Sequence, residues 1–125
     1  MTFKLKTDSS NRFNKFIQDI LENGKIFYML HPEGGVFLCT SNEFFDENQM
    51  PAPVIAVWSL TYLAYAKRYA NELEIKEIHF EEFYQQMLPV MTQDGLILGV
   101  NWDQNGFGSE IIASDMYEKI SRSIV

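Results

Sequence analysis

The feature that most constrains the fold of this chain is an unbroken apolar run, "VIAVW", at Val54 to Trp58. A short continuous run of this kind is typical of a β-strand that is buried on both faces. Such a strand needs a hydrophobic core around it. A chain of 125 residues with 46% apolar and 22% charged residues can supply one core of ordinary size. We therefore predict a single domain over residues 1–125.

The spacing of the remaining apolar residues predicts the other elements. Helical spacing predicts helices over residues 8–24, 60–69 and 81–92, the last kinked or ended by Pro89, and a final helix from Ser114 onward. Strand patterns fall at residues 26–30 and 36–40, paired as a hairpin around "HPEGG", and at residues 54–58, 74–80, 96–102 and 109–113. Residues 41–53 are expected to form a long polar loop. This order predicts an α+β fold: one two-layer domain with a mixed β-sheet of about five or six strands and helices packed mainly on one face.

The charge balance narrows the classes of partner. The chain has 10 basic and 17 acidic residues, which give a formal net charge of −7 at pH 7. Nucleic acid binding depends mainly on Lys and Arg that neutralise phosphates, and the basic residues here are scattered. We therefore expect no nucleic acid partner and, for the same reason, no binding to anionic membranes. The acidic excess favours a basic protein partner instead.

Five acidic residues are concentrated in one segment, at Glu72, Glu74, Glu77, Glu81 and Glu82. One interpretation is a solvated face, with the last two acids serving the N-terminus of a helix, whose dipole favours negative charge. The other is an acidic docking surface for a basic partner, on which charge would raise the association rate more than the affinity.

Cysteine and histidine usage points away from disulfides, zinc and thiol catalysis. Cys39 is the single cysteine, so it cannot form an internal disulfide. His31 and Cys39 fall near different ends of the predicted hairpin, so we do not expect a catalytic thiol–imidazole pair. His31 and His79 are too few and too far apart in the sequence for a convincing zinc site. The chain opens without a signal peptide pattern, and its apolar runs are shorter than the ~20 residues of a membrane span, so we predict a cytoplasmic location.

The segment "DQNGFGSE", Asp103 to Glu110, superficially resembles a ligand-binding loop. As a calcium loop it would carry Phe107 at its fifth position and Ser114 at its twelfth, where oxygen ligands are required. As a phosphate loop it lacks both a nearby Lys and a helix after the glycines. Asn-Gly between apolar strands is a strong hairpin signal. We therefore predict a turn, with no metal and no cofactor.

Two tryptophans suggest a different site. Trp58 and Trp102 end strands that we expect to run in the same direction, so as neighbours they would meet at the carboxyl edge of the sheet, where clefts of α/β proteins form. Asn101 and Asp103 would flank them. Burial in the core is the alternative, because Trp is mostly buried. These four residues are the predicted ligand or partner site, and we predict no catalytic residue.

Several short segments resemble a known family. They are "VWS" at Val57 to Ser59, "AYAKRYA" at Ala64 to Ala70, "EIHFEEFYQQMLP" at Glu77 to Pro89 and "QDGLILGVNWD" at Gln93 to Asp103. In order and content they are similar to the bacterial domain-of-unknown-function family DUF2750, over nearly the whole chain. The layout more distantly resembles the SseB-like domains, small α/β modules associated with secretion or protein contacts. The resemblance implies a small bacterial cytosolic protein, and it implies no activity and no catalytic residues.

Three functional hypotheses remain open. The first is a non-enzymatic protein-interaction domain, of the accessory or immunity type, that binds a basic partner. The second is a small-ligand-binding or enzymatic domain that uses the Trp58 and Trp102 edge, with Asp103 as the polar group. The third is a homo-oligomer in which the edge strands of the hairpin pair across a two-fold axis.

Overall fold

A mixed β-sheet forms the centre of the molecule in the computed structural model, which describes residues 2–124 and, for residues 2–11, the backbone alone. Six strands make up this sheet. They are β1 (Lys25–Leu30), β2 (Cys39–Phe45), β3 (Pro51–Ser59), β4 (Glu74–His79), β5 (Ile97–Val100) and β6 (Ser109–Ile112).

The sheet is organised around β3. Its order is β4-β1-β3-β5-β6, and β2 also pairs with β3. β5 runs parallel to β3, whereas β1 and β2 are antiparallel to it. β2 pairs with the start of β3, up to Val54, and β1 pairs with the end of β3, at Trp58 and Ser59. Both lie along the edge of β3 that is opposite β5. β4 and β6 are the two outer strands of the order.

Helices cover both faces of the sheet. Alternation along β3 directs Ile55 and Val57 to one face and Val54, Ala56 and Trp58 to the other. The first face is covered by α1 (Thr2–Asn23), α4 (Leu88–Gln93) and α5 (Ala113–Ser123), through core residues such as Phe16, Leu88 and Ile120. The second is covered by α2 (Leu63–Ala70), through Ala66 and Ala70. Since every residue from Val54 to Ser59 is buried, the prediction of an α+β fold built around a strand buried on both faces is confirmed.

The predicted loop at residues 41–53 was wrong, because this segment forms most of a β-hairpin between β2 and β3. Its turn is closed by Asp46, whose Oδ1 accepts hydrogen bonds from the backbone N–H of Asn48 and Met50 at 2.8 and 3.0 Å. Pro51 and Pro53 argued against a strand because proline has no N–H to donate. They are tolerated because β5 joins β3 only from Val54 onward, so the start of β3 has one partner strand, β2.

The predicted hairpin of residues 26–30 with 36–40 exists only at its turn. A single bridge joins Leu30 to Val36, and the turn is closed by a hydrogen bond from His31 N to Gly35 O at 3.0 Å. β1 is already paired on both edges, with β3 and with β4. Phe37 N still donates to Met29 O at 2.9 Å, and the chain after it leaves β1 and pairs with the free start of β3 from Cys39 onward.

Pro89 does not end its helix. The segment begins with α3 (Phe80–Glu82), widens into a π-helical turn at Phe83–Met87 and continues as α4 through Gln93. A proline ring clashes with the carbonyl group four residues earlier in a regular α-helix. The wider π turn lies immediately before Pro89 and alters the geometry at that carbonyl, so the chain stays helical past the proline.

Candidate functional site

A buried polar network lies at the carboxyl ends of the parallel strands β3 and β5. Ser59 ends β3, Asn101 follows β5, and both are 0% exposed. The backbone N–H of Ser59 donates to Asn101 Oδ1 at 2.9 Å, and Asn101 Nδ2 donates to the carbonyl of Arg12 at 3.2 Å. Asn101 adopts φ +50°, a left-handed conformation that Asn tolerates better than most residues. The Asn101 side chain therefore supplies hydrogen bonds to the backbone at the point where the sheet hydrogen bonds of β3 and β5 stop.

The network extends into α1 through Arg12 and Asp19. Arg12 Nη1 donates to the carbonyl groups of Asn101 and Phe107, at 3.1 and 2.9 Å. Asp19 Oδ2 accepts from Ser59 Oγ at 2.8 Å, and Asp19 Oδ1 lies 3.4 Å from Lys15 Nζ. Charged side chains that are buried need such partners. These bonds fix α1 on the sheet.

The same bonds set the ionisation of Asp19. Burial alone raises the pKa of this carboxyl group, but hydrogen bonds from Thr61 and Ser59 and the charge of Lys15 outweigh burial. The pKa is therefore below its ordinary value of 3.8. A carboxyl group with a lowered pKa in the folded state stabilises the fold above its unfolded pKa, and this contribution is lost as pH falls through the folded pKa.

Replacing Asp19→Asn should lower the free energy of unfolding by about 1–3 kcal/mol near neutral pH, because the donors of Ser59 and Thr61 lose a charged acceptor. The difference from the wild type should shrink as the pH falls below 3.8, because the unfolded chain then takes up the proton on Asp19 before the folded protein does, and the contribution is lost as the pH falls through the lowered folded pKa. Urea unfolding at about pH 7 and about pH 3 measures both effects. Glu22→Gln, an exposed carboxylate on the same helix, is the control and should change stability by less than about 0.5 kcal/mol. A difference that stays constant with pH would contradict the assigned ionisation.

The two tryptophans lie together, largely inside the core. Trp58 is 0% and Trp102 is 2% exposed, and Trp58 Nε1 donates to the backbone carbonyl of Trp102 at 2.8 Å. Trp102 Nε1 donates to the carbonyl of Ser109 at 3.1 Å. The structure thus brings together Trp58, Asn101 and Trp102 as the sequence predicted. Trp58 and Asn101 have no exposed surface, and the role of the group in binding stays a prediction.

Two glycines make room for Trp102. A Cβ atom at Gly99 would lie 2.4 Å from Trp102 Cε2, and one at Gly108 would lie 2.7 Å from Trp102 Cδ1. Both distances are far shorter than a carbon–carbon contact, for which about 3.5–4.0 Å is optimal. Gly99 and Gly108 therefore allow the indole of Trp102 to pack against β5 and the start of β6.

Gly99→Ala should consequently destabilise the protein by about 1–3 kcal/mol, the usual cost of forcing extra volume into a packed core. Denaturant unfolding followed by tryptophan fluorescence gives the value. The smaller ring in Trp102→Phe relieves the clash, so the double variant should lose less stability than the sum of the two single variants. Additive losses would show that the methyl group is accommodated without contact to the ring.

A cleft of about 330 Å³ opens beside Trp102. Its lining includes Cys39, Asn42, Tyr69, Trp102 and Asn105. A smaller cleft of about 180 Å³ lies next to it, lined by Arg68 and Asp103 among others. Asp103 is partly committed to its own turn, because its Oδ1 accepts from the backbone N–H of Asn105 at 2.9 Å. The prediction that "DQNGFGSE" is a turn is confirmed, since β5 and β6 pair antiparallel on either side of it.

The reactive groups of the larger cleft are held in their neutral forms. Cys39 Sγ lies 3.4 Å from Tyr69 Oη in a hydrogen bond, while His31 packs edge-on against Phe37. Burial raises the pKa of Cys39 above its ordinary value of 9.0 despite the bond to Tyr69. Burial and the bond to Cys39 likewise raise the pKa of Tyr69. A neutral thiol is a poor nucleophile, so this cleft is better suited to binding than to covalent chemistry.

The five predicted acidic residues are all exposed. Glu74 and Glu77 lie on β4, and because side chains alternate along a strand they project from opposite faces of it. Glu81 and Glu82 occupy the first turn of α3, as the helix-dipole interpretation expects. Within residues 12–124 the ion pairs are Lys15–Asp19 and Arg122–Glu118, so none of these five acids is neutralised in that part of the chain.

The described residues were also compared with the requirements of a metal site and of a membrane-spanning helix. Among the described residues, no group of three or more His, Cys, Asp or Glu side chains lies close enough to hold a metal ion. No helix in residues 2–124 has the combination of length and apolar character that crossing a bilayer demands.

The sequence interpretation missed the polar network of α1. Arg12 and Asp19 lie on the same helical stripe as Phe16 and Ile20, and this was the available signal, because charged residues inside an apolar stripe need buried partners. It also missed an apolar cavity between the sheet and α4, for which the sequence offers no comparable sign.

These features define the class of protein. It is a small α+β domain in which the residues at the carboxyl ends of the parallel strands form a buried hydrogen-bond network, and its outer strand β4 carries acidic residues. A model of the family described as "Protein of unknown function (DUF2750)" matches residues 13–120. The chain belongs to this family, which confirms the resemblance found in the sequence. A search of curated proteins finds no match to the chain. The segments "VWS" and "GVNWD", on which the resemblance was based, contain the buried residues Ser59, Asn101 and Trp102.

Proposed function

We propose that this domain is a non-enzymatic protein-interaction module, of the accessory or immunity type, that binds an extended basic segment of a partner protein along β4. The observation that carries the proposal is the position of the acidic residues on an outer strand of the sheet. β4 pairs with β1 alone among the described strands, so its other backbone edge is available for pairing. An exposed edge can accept an added strand through main-chain hydrogen bonds.

Charge selects which strand can be added. Glu74 and Glu77 project from the two faces of β4, and Glu72 precedes the strand. Lys76 is the single basic residue within it. Like charges directly opposite each other destabilise strand pairing, whereas opposite charges stabilise it. The edge therefore disfavours pairing with a second copy of itself and favours a strand rich in Lys or Arg, whose approach the negative field also accelerates.

The neutral state of Cys39 and Tyr69 supports binding over chemistry, because neither group is poised as a nucleophile or base near pH 7. A location in the bacterial cytoplasm stays a prediction from the sequence, as does assembly into a homo-oligomer.

A synthetic peptide tests the proposal directly. A fluorescent peptide of Lys and Val, six residues long like β4 and with Lys on both faces of the extended chain, should bind saturably at low salt, and binding should weaken as salt rises. The double variant Glu74→Lys/Glu77→Lys should weaken binding by at least about tenfold, because it turns attraction into repulsion. Fluorescence anisotropy measures the affinity, and stopped-flow mixing should show that the association rate falls.

Two controls separate edge binding from general attraction to an acidic protein. Glu47→Lys/Asp94→Lys makes the same change in net charge at the β2–β3 turn and after α4, and it should leave most of the affinity intact. A peptide N-methylated at every second residue keeps its charge but loses donors along one edge, so it should bind weakly if backbone pairing contributes. Equal losses in both double variants, or equal binding of the methylated peptide, would overturn the proposal.

The cleft beside Trp102 favours a second candidate function, the binding of a small ligand. Its volume of about 330 Å³ is within the usual range for ligand sites, and Trp102, Asn42 and Asn105 offer a ring edge and amide groups for recognition. A ligand present at about one hundred times its dissociation constant stabilises a protein by about 2.7 kcal/mol. Thermal unfolding in a broad metabolite panel therefore tests this candidate, and a uniform absence of shifts would discard it.

A further inference from the structure

An apolar cavity of about 370 Å³ lies between the sheet and the helical segment of α3 and α4. Its floor is formed by side chains of the sheet, including Tyr28, Ile55 and Ile78, and its roof by Met87 and Met91. The cavity lies on the face of the sheet opposite α2 and is separate from the cleft beside Trp102. Its volume falls within the range of about 300–1,000 Å³ that is usual for small-molecule sites.

The roof of this cavity is irregular where it faces the sheet. The π-helical turn at Phe83–Met87 directs Phe83 into the core and leaves Gln86 and Met87 at the cavity. Single π turns within α-helices occur frequently at functional sites. Methionine side chains are unbranched and polarisable, so Met87 and Met91 can adapt to ligands of different shape.

One end of the cavity is charged. Glu82 is the ionisable acid among the described lining residues, and Tyr28 lies close enough to sense its charge. Burial and the neighbouring Glu82 both raise the pKa of Tyr28, so its hydroxyl group stays protonated at neutral pH. Lys76 faces Tyr28 across the β1–β4 pair, but it is exposed and does not line the cavity. A carboxylate beside an aromatic ring, at the mouth of an apolar space, is suited to an organic cation.

We propose that this cavity binds a small amphipathic amine, with its apolar body under Met87 and Met91 and its protonated nitrogen at Glu82 and Tyr28. The occupant is a small molecule with a hydrocarbon or aromatic body and one positive charge. The proposal goes beyond the protein-interaction function and does not depend on it, because it uses the face of the sheet under α4 and not the backbone edge of β4.

Octylamine, octanol and octanoate are the probes, since they share one hydrocarbon chain and differ in charge. Octylamine should shift the methyl NMR signals of Met87 and Met91 saturably, and it should bind about three- to tenfold more tightly than octanol, with octanoate weakest. Glu82→Gln should remove the preference for octylamine over octanol while retaining the binding of both.

Two further variants make the test specific. Val90 lines the cavity and is 56% exposed, so Val90→Trp should narrow the entrance and weaken octylamine and octanol alike without disturbing the core. Glu81→Gln removes the neighbouring acid, which is outside the cavity lining, and should preserve the preference for the amine. The proposal fails if octylamine leaves both methionine signals unmoved, if the preference survives in Glu82→Gln, or if Glu81→Gln abolishes it equally.

Discussion

The structure depends on β3 being buried on both faces and paired along both edges. Val54 to Ser59 are all buried; β5 pairs along one edge of the strand at Val54 to Val57, and along the other edge β2 pairs up to Val54 and β1 pairs at Trp58 and Ser59. The backbone N–H and C=O groups of a buried strand find hydrogen-bond partners only as far as the neighbouring strands extend. Where β3 and β5 end together, Asn101 provides the remaining hydrogen bonds, and Ser59 connects them to Asp19 on α1. The hydrogen bonds at the end of β3 therefore help to position α1, which covers one of the two faces of the sheet.

This dependence explains why the carboxyl edge of the parallel strands is closed in this protein. In open α/β sheets that edge is the usual position of a ligand. Here Trp58 and Trp102 are bonded to backbone carbonyl groups, and Arg12 reaches the carbonyl of Phe107 across the same edge. Opening this region to a ligand would leave several buried polar groups without partners, at a cost of about 1–3 kcal/mol for each group. The edge of β4, the cavity under α4 and the cleft beside Trp102 can be occupied without breaking these hydrogen bonds, and they are where we propose that binding occurs.

Much of the fold was predictable because it follows from local patterns. The apolar run of β3, the strand pattern at residues 74–80 and the helical spacing over residues 60–69 are local features of the sequence, and the strands and the helix that they predict are present. The β2–β3 hairpin was missed because prolines are excluded from strands only where a partner needs their N–H, and the number of partner strands is a property of the assembled sheet. The course of the helix past Pro89 was missed for a related reason, since a π turn adjusts the backbone in a way that composition does not reveal.

The candidate sites also combine features that local sequence predicts with features that depend on the assembled fold. The grouping of Trp58, Asn101 and Trp102 was predictable, because parallel strands place their ends together, but their exposure was not, because Gly99 and Gly108 determine how closely the indole of Trp102 packs. The cavity under α4 is lined by Tyr28, Val36 and Ile55, which are far apart in the sequence, and by residues between Ile78 and Leu96. The hydrophobic spacing within one segment cannot predict a cavity that several segments form together. The charged end of this cavity lies at the strand–helix junction that begins α3, where β4 pairs with β1 and the charge of Glu82 acts on Tyr28. In the two proposals, the acidic series from Glu72 to Glu82 contributes to two surfaces: Glu74 and Glu77 lie on the outer strand β4, and Glu82 lines the cavity from α3.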